Sequence, residues 1–381
     1  FKQKTAYEML RSLVGSEMCI RDRAIYKRGK TAGVFPSLST RRDEAYMSFI
    51  EDARNLLLHA QQKPIGEYSR LLLQNAGKSM EPDPRSTTEA KELLMKDNVL
   101  KTYYRIKRTL QESFWECTYD SLNMRKNDLL QALDDAEKIG PGSVTYDPDF
   151  LIPEYATAEI HIQPGGNANE PLSGLLYDYG SKVFMGGAAD NDMFADMQAS
   201  TVGAPQDGKV NRILDLGCSA GVTSSALKRI YPDAEVWGID VSSHMVRYAH
   251  ARALEQNHDI NFKQMLAEEL DFNDNHFDIV VANLLFHEVP VSVSKKILSE
   301  TLRVLRPGGS FTLIDFPGDK TRDVYTMFFG EMDAADNGEP FLPGFVRSNV
   351  EEIMEESGFE MSPYDPNKFL LAGRIGFKPN N

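Results

Sequence analysis

The chain has 381 residues, a net charge of −14, and 41% hydrophobic and 26% charged side chains. That composition suits a globular protein with enough length for two ordinary domains. No apolar run approaches the roughly 20 residues that span a bilayer, so no membrane partner is expected. Residues 206–381 alone carry 17 basic and 27 acidic side chains. Such a balance repels a phosphate backbone on average and argues against a nucleic-acid substrate. Cys19, Cys117 and Cys218 lie far apart with no C-x-x-C pair. Neither a disulfide framework nor a metal site is therefore expected, and a reducing, cytoplasmic setting is.

Residues 1–34 differ from the rest of the chain. They are net basic and lack an amphipathic period, and Ala6 to Arg23 resembles translated adapter sequence. They are expected to be a non-native or disordered leader; a basic targeting peptide is the competing reading, with no apolar stretch to support it. Residues 35–140 form a helical N-terminal region. Tyr46, Phe49, Ile50, Ala53, Leu56 and Leu57 recur at helical spacing, as do Leu93, Val99, Leu100, Tyr103, Tyr104 and Ile106. A further amphipathic stretch over 121–139 has Ser121 as its expected N-cap and ends at Gly140-Pro141-Gly142. The aromatics Tyr103, Tyr104, Phe114, Trp115 and Tyr119 either line a pocket or fill the space between helices, the second being the simpler reading. Residues 141–205, rich in Gly, Pro, Asn and Asp, are expected to connect this region to the next, with an ordered piece around Leu175–Ser181.

From 206 to 381 strands and helices alternate. Strands are predicted over Val210–Asp215, Glu235–Asp240, Phe262–Leu266, Phe277–Asn283, Gly309–Phe316 and Phe369–Gly376, and helices at Val291–Leu305 and Asn349–Ser357 among others. This alternation calls for a parallel sheet covered by helices on both faces. Ligands of such sheets bind at the carboxyl ends of the strands. The turn Asp215-Leu216-Gly217-Cys218-Ser219-Ala220-Gly221 lies there, at the opening of the first helix. In the dinucleotide register G-x-G-x-x-G it reads Gly217, Ser219, Val222, which counts against a nicotinamide dehydrogenase. Read as G-x-G-x-G, it loses only the middle glycine. Asp240 ends the second strand, where a carboxylate can accept both hydroxyls of a ribose or cap the next helix.

These pieces, together with Phe277–Asn283 and Leu302-Arg303-Val304-Leu305-Arg306-Pro307-Gly308-Gly309, resemble the class I S-adenosylmethionine-dependent methyltransferase family over residues 206–381. The resemblance implies a Rossmann-like, doubly wound α/β fold with a seven-stranded sheet, mostly parallel with an antiparallel last strand. Its cofactor would be S-adenosyl-L-methionine. Asp215 and the backbone of Gly217, Cys218, Ser219 and Gly221 would hold the methionine part, and Asp240 the ribose. Val241 and Met245 would flank the adenine, and Ala267 and Glu268 would meet its edge, with Asn283 also in the cofactor set. Leu266 stands where the family often has an acid. Residues 141–205 would cover the cofactor, with Tyr177 touching it or serving in packing.

Asn283-Leu284-Leu285-Phe286-His287-Glu288 lacks the Asn/Asp-Pro-Pro-aromatic motif of amino-directed nucleic-acid enzymes. His287 is the candidate general base, or else a histidine that orders the loop. Asp315, Phe316, Tyr325, Phe328 and Phe329 lie where substrate contacts usually fall in that family, and Gly338-Glu339-Pro340-Phe341 follows in the same insertion; these aromatics either form a substrate lid or fill an ordinary core beneath it. The expected activity is methyl transfer to a small-molecule acceptor, with a homodimer through the helical N-terminal region as a possible assembly. A non-catalytic cofactor-binding partner subunit and an NAD-dependent oxidoreductase are the alternatives.

Overall fold

The computed structural model describes residues 38–81, 83–185, 192–318, 323–363 and 371–380. The expectation for residues 1–34 lies outside these, as do Cys19 and the first residues of the last predicted strand. Eight strands form one sheet: β1 (Ser143–Thr145), β2 (Arg212–Leu216), β3 (Glu235–Asp240), β4 (Ile260–Gln264), β5 (Phe277–Asn283), β6 (Leu305–Asp315), β7 (Glu360–Met361) and β8 (Ala372–Phe377). Their order is β1-β4-β3-β2-β5-β6-β8-β7. β1 to β6 pair in parallel, whereas β8 runs antiparallel to both β6 and β7. Six strands match those predicted from the sequence, and β7, which none of the predictions covers, brings the count to the seven that the resemblance implies. The eighth, β1, comes from the segment expected only to connect, and it extends the edge beside β4.

The alternation of side chains along the strands builds two cores. Leu214, Leu216, Val280 and Ala282 pack on one face with Ile297, Leu298, Phe345 and Met354. Ile213, Val236, Ile279 and Val281 pack on the other with Ala226, Leu227, Val246 and Ala249. Helices Val222–Ile230 and Ser243–Glu255 cover the second face; Val291–Val304 and Val350–Glu356 cover the first. Period-two burial of both faces is what a parallel sheet between helical layers requires.

The N-terminal region is helical because its caps and apolar faces agree. Thr40, Asp83 and Asp97 cap the helices Arg41–Asn55, Pro84–Leu94 and Asn98–Asn123 through their side-chain oxygens. Ser121 is not the expected N-cap. It lies inside the 26-residue helix Asn98–Asn123, where its hydroxyl accepts from the Ser39 amide at 2.8 Å and donates to Asp43 at 2.7 Å. Buried Leu122 carries the apolar face past it, so the helix continues to Asn123 and the next one begins at Lys126.

The aromatics of this region are core. Tyr103 and Tyr104 pack with Val324, Tyr325 and Phe328 of the helix Val324–Asn337, and Tyr104 meets the Phe328 ring edge-on at 5.9 Å. The residues expected as substrate contacts after β6 therefore divide: Tyr325, Phe328 and Phe329 join this packing, whereas Asp315 and Phe316 belong to the candidate site.

Candidate active site

Three residues after β2 take left-handed backbone angles: Gly217 (φ +64), Ser219 (φ +49) and Gly221 (φ +73). A Cβ at 217 would sit 2.8 Å from Leu285 Cδ1, and one at 221 would sit 2.8 Å from Ala249 Cβ. Glycine is thus required twice by space as well as by angle. Ser219, standing at the missing middle glycine, keeps the glycine-like angle. Its amide donates to Asp240 Oδ2 at 2.9 Å, and the Ser242 amide donates to Asp240 Oδ1 at 2.9 Å. Asp240 therefore ties the loop to the end of β3, with lone pairs left for hydroxyl donors. Ser242, not Asp240, caps the following helix, accepting from the Met245 amide.

Asp215 is 1% exposed. Its Oδ2 accepts from Ser224 Oγ at 2.6 Å, while Oδ1 is buried without a partner. Burial pushes its pKa up to about 7, with the Asp240 charge adding to the rise. Burial likewise pushes Asp240 up to about 6, with a further rise from Glu288. Cys218 is buried in the same loop, and its amide donates to the Ile239 carbonyl at 2.8 Å. Ser219 Oγ lies 3.9 Å from the sulfur of buried Met245. Tyr177, on the helix Ser173–Phe184, lies beside Ser219 of the loop; burial and the Glu288 charge push its phenol up to about 12. An unpartnered carboxylate oxygen, two glycines where a Cβ would collide and the remaining lone pairs of Asp240 make a cradle for a ligand with cationic and hydroxyl groups.

The remaining predicted residues are engaged more locally. The Val241 carbonyl accepts from Gln264 at 3.0 Å. Ala267 packs on the first-face core, and Glu268 accepts from the Tyr155 hydroxyl at 2.5 Å. The Asn283 amide exchanges two 3.1 Å bonds with Gln198 and donates to Thr223 at 3.0 Å. It faces the helices Met193–Ala199 and Val222–Ile230.

His287 lies in the short turn Phe286–Glu288 after β5 and is buried. Its Nδ1 is 2.8 Å from Asp315 Oδ1 at the end of β6, and its Nε2 is 3.2 Å from Glu288 Oε1. Asp315 Oδ2 also accepts from the Phe286 and His287 amides. Burial opposes a charged ring, but the two carboxylates prevail and hold its pKa well above the ordinary value. The Phe316 ring stands edge-on at 4.9 Å.

Sequence reasoning missed His161. It sits at φ +58, with its carbonyl accepting from Gln111 Nε2 at 2.9 Å and Trp115 Nε1 at 2.7 Å. Its Nδ1 is 3.0 Å from Glu339 Oε1 and its Nε2 is 3.8 Å from Glu288 Oε1. Burial opposes its charge too, yet Glu339 raises its pKa. Nothing in the local sequence marks it, because its partners lie about 50 residues before it and more than 120 after it. Among the described residues no three His, Cys, Asp or Glu side chains are placed to hold a metal ion.

Residues 213–309 match a family model described as a methyltransferase domain. The ubiquinone/menaquinone biosynthesis C-methyltransferase UbiE of Ectopseudomonas mendocina is 30% identical over 189 residues, covering 44% of this chain and 73% of that protein. The demethylmenaquinone methyltransferase of Thermus thermophilus is 32% identical over 141 residues, or 36% of this chain and 60% of that protein. Among solved structures, a SAM-dependent methyltransferase from Aquifex aeolicus is 23% identical, covering 44% of this chain and 82% of its own with a TM-score of 0.35.

Proposed function

The chain belongs to the class I S-adenosylmethionine-dependent methyltransferases, and we propose that it methylates a small-molecule acceptor held between its sheet and its helical N-terminal region. S-adenosylmethionine supplies an electrophilic methyl group on a sulfonium. In this reading Asp215 and the backbone of Gly217, Cys218, Ser219 and Gly221 take its methionine part, and Asp240 takes the ribose hydroxyls. Val241 and Met245 flank the adenine, Ala267 and Glu268 lie at its edge, and Asn283 and Tyr177 close the sides. The observation that carries the reading is the pairing of an unpartnered buried Asp215 Oδ1 with the Asp240-tied, left-handed loop.

The acceptor side is assigned to His287, with Asp315 fixing its tautomer so that it handles the proton of an acidic hydroxyl or carbon. The Phe316 ring beside His287 and the Phe184 ring 5.2 Å from His161 favour a flat aromatic acceptor. The relatives named for quinone biosynthesis make quinone precursors the first compounds to try. Two free thiols, Cys117 and Cys218, support a reducing, cytoplasmic setting. Phe49 and Leu56, 64% and 56% exposed near the start of the helical region, support a homodimer through that face, which sedimentation would detect. No helix among the described residues is long and apolar enough to cross a membrane.

The deciding experiment incubates the full chain with methyl-labelled donor and fractionated metabolite extract, including demethylated quinone precursors. Label in a small molecule supports the enzyme. S-adenosylhomocysteine binding without label transfer to any fraction would instead support a non-catalytic cofactor-binding subunit.

A further inference from the structure

Glu288 has a place in the site to which the proposed methyl transfer gives no role. Its Oε1 faces His287 Nε2 at 3.2 Å and His161 Nε2 at 3.8 Å, while its Oε2 is buried with no hydrogen-bond partner. The two histidines do not neutralise it, since Asp315 holds one at 2.8 Å and Glu339 holds the other at 3.0 Å. Three carboxylates thus share two imidazoles. The turn that carries Glu288 adjoins the cofactor loop, since a Cβ at Gly217 would sit 2.8 Å from Leu285 Cδ1, and the Glu288 charge adds to the raised pKa of Asp240. A second feature points the same way: Asp215, 1% exposed, keeps Oδ1 unpartnered in that loop.

A buried carboxylate oxygen without a partner is costly, and a ligand bringing positive charge removes the cost. We propose that Glu288 reads the positive charge of the methyl donor, favouring the sulfonium of S-adenosylmethionine over the neutral thioether of its product. The proposal rests on the assignment of Asp215–Gly221 and Asp240 as the cofactor site. His287 and His161 face Oε1 and leave Oε2 without a partner. The charge that selects the donor thus comes from the turn after β5, steadied by a residue of the connecting segment 141–205.

The test is calorimetry on the full chain at about pH 8, above the raised pKa values of Asp215 and Asp240. The probes are S-adenosylmethionine, S-adenosylhomocysteine and sinefungin, whose amine places a cation near the sulfonium position. Glu288→Gln should weaken S-adenosylmethionine and sinefungin about fivefold to tenfold, and S-adenosylhomocysteine by less than about twofold, as removal of one charge-charge interaction requires. Glu288→Asp keeps the charge and should keep most of the preference; it also serves as the readout if circular dichroism shows the glutamine variant unfolded. Equal weakening of all three ligands, or no change in any, overturns the proposal. Asp240→Ala separates the two claims, because it should weaken all three ligands alike. If it changes none, the cofactor-site assignment fails and the Glu288 proposal fails with it.

Discussion

Asp240 ties the loop to β3 and, in the proposed reading, also takes the ribose hydroxyls of the ligand. Each of its oxygens accepts one backbone amide at 2.9 Å, and each retains capacity for a hydroxyl. Asp240→Ala should weaken S-adenosylhomocysteine binding by more than about tenfold, since charged acceptors are lost and the Ser219 amide is released. Unchanged affinity in a calorimetric titration would remove Asp240 from the site. The same residue predicts a pH dependence. Its folded pKa of about 6 and that of Asp215, about 7, lie above the ordinary 3.8. Their contribution to folding stability is therefore full below 3.8 and is lost as pH rises through 6 and 7. A ribose prefers the ionised acceptor, so affinity for S-adenosylhomocysteine should rise about tenfold from pH 5 to pH 7. A flat or falling profile would contradict the assignment. For His287 the raised pKa has a kinetic consequence: as a base it works only above that pKa, so turnover should climb with pH beyond the ordinary histidine range. Asp315→Asn removes the carboxylate that raises it and should move that limb to lower pH.

At the scale of elements, the helix Ser173–Phe184 joins the two halves of the molecule by close approach. A Cβ at Gly174 would stand 2.3 Å from Tyr248 Cβ on the sheet-covering helix Ser243–Glu255. One at Gly180 would stand 2.3 Å from Trp115 Cη2 on the helix Asn98–Asn123. Between these two contacts lie Tyr177, beside Ser219, and Asp178, which accepts from the Tyr248 hydroxyl at 2.6 Å. Trp115 also holds the His161 carbonyl at 2.7 Å. Gly180→Ala should therefore displace the indole, at a cost of about 1–3 kcal/mol for overpacking, and loosen His161. Urea unfolding would show a lower midpoint with an unchanged slope. An unaltered midpoint would mean that the helix pair adjusts freely.

At the scale of the whole molecule, the helical region and the sheet share their interior. Leu172, Leu175 and Leu176 belong to one buried cluster with Ala220, Tyr248 and Ala251. Arg252, fully buried, ion-pairs with Asp192 and lies 3.5 Å from Asp178. Arg70 binds Asp323 at 2.6 Å across the other contact. Arg252→Met should leave two buried carboxylates poorly compensated and cost on the order of 3 kcal/mol, readable as a lower thermal midpoint. A chain of residues 206–381 alone would expose that shared apolar face. We expect it to aggregate, whereas residues 38–381 should unfold in one transition. Soluble, ligand-binding protein from residues 206–381 alone would show that the two parts fold independently.

Features that depend on near neighbours along the chain were legible in the amino-acid order. Glycines at 217 and 221 and acids at 215 and 240 mark strand ends because turn geometry and strand period are local, and β5 was legible to its last residue for the same reason. The left-handed angle at Ser219 was implied only by the glycine it replaces. Three features were not legible. β1 is three residues long, too short for an alternation to show. Ser121 has the composition of a cap, yet its hydroxyl is claimed by Ser39 and Asp43. His161, Glu288 and Glu339 meet only because the segment after the helical region packs against the turn after β5 and the turn that follows the helix Val324–Asn337. Which charges share the acceptor side of the site was settled by folding in three dimensions, because such meetings depend on how distant elements pack and carry no periodic signal in the sequence.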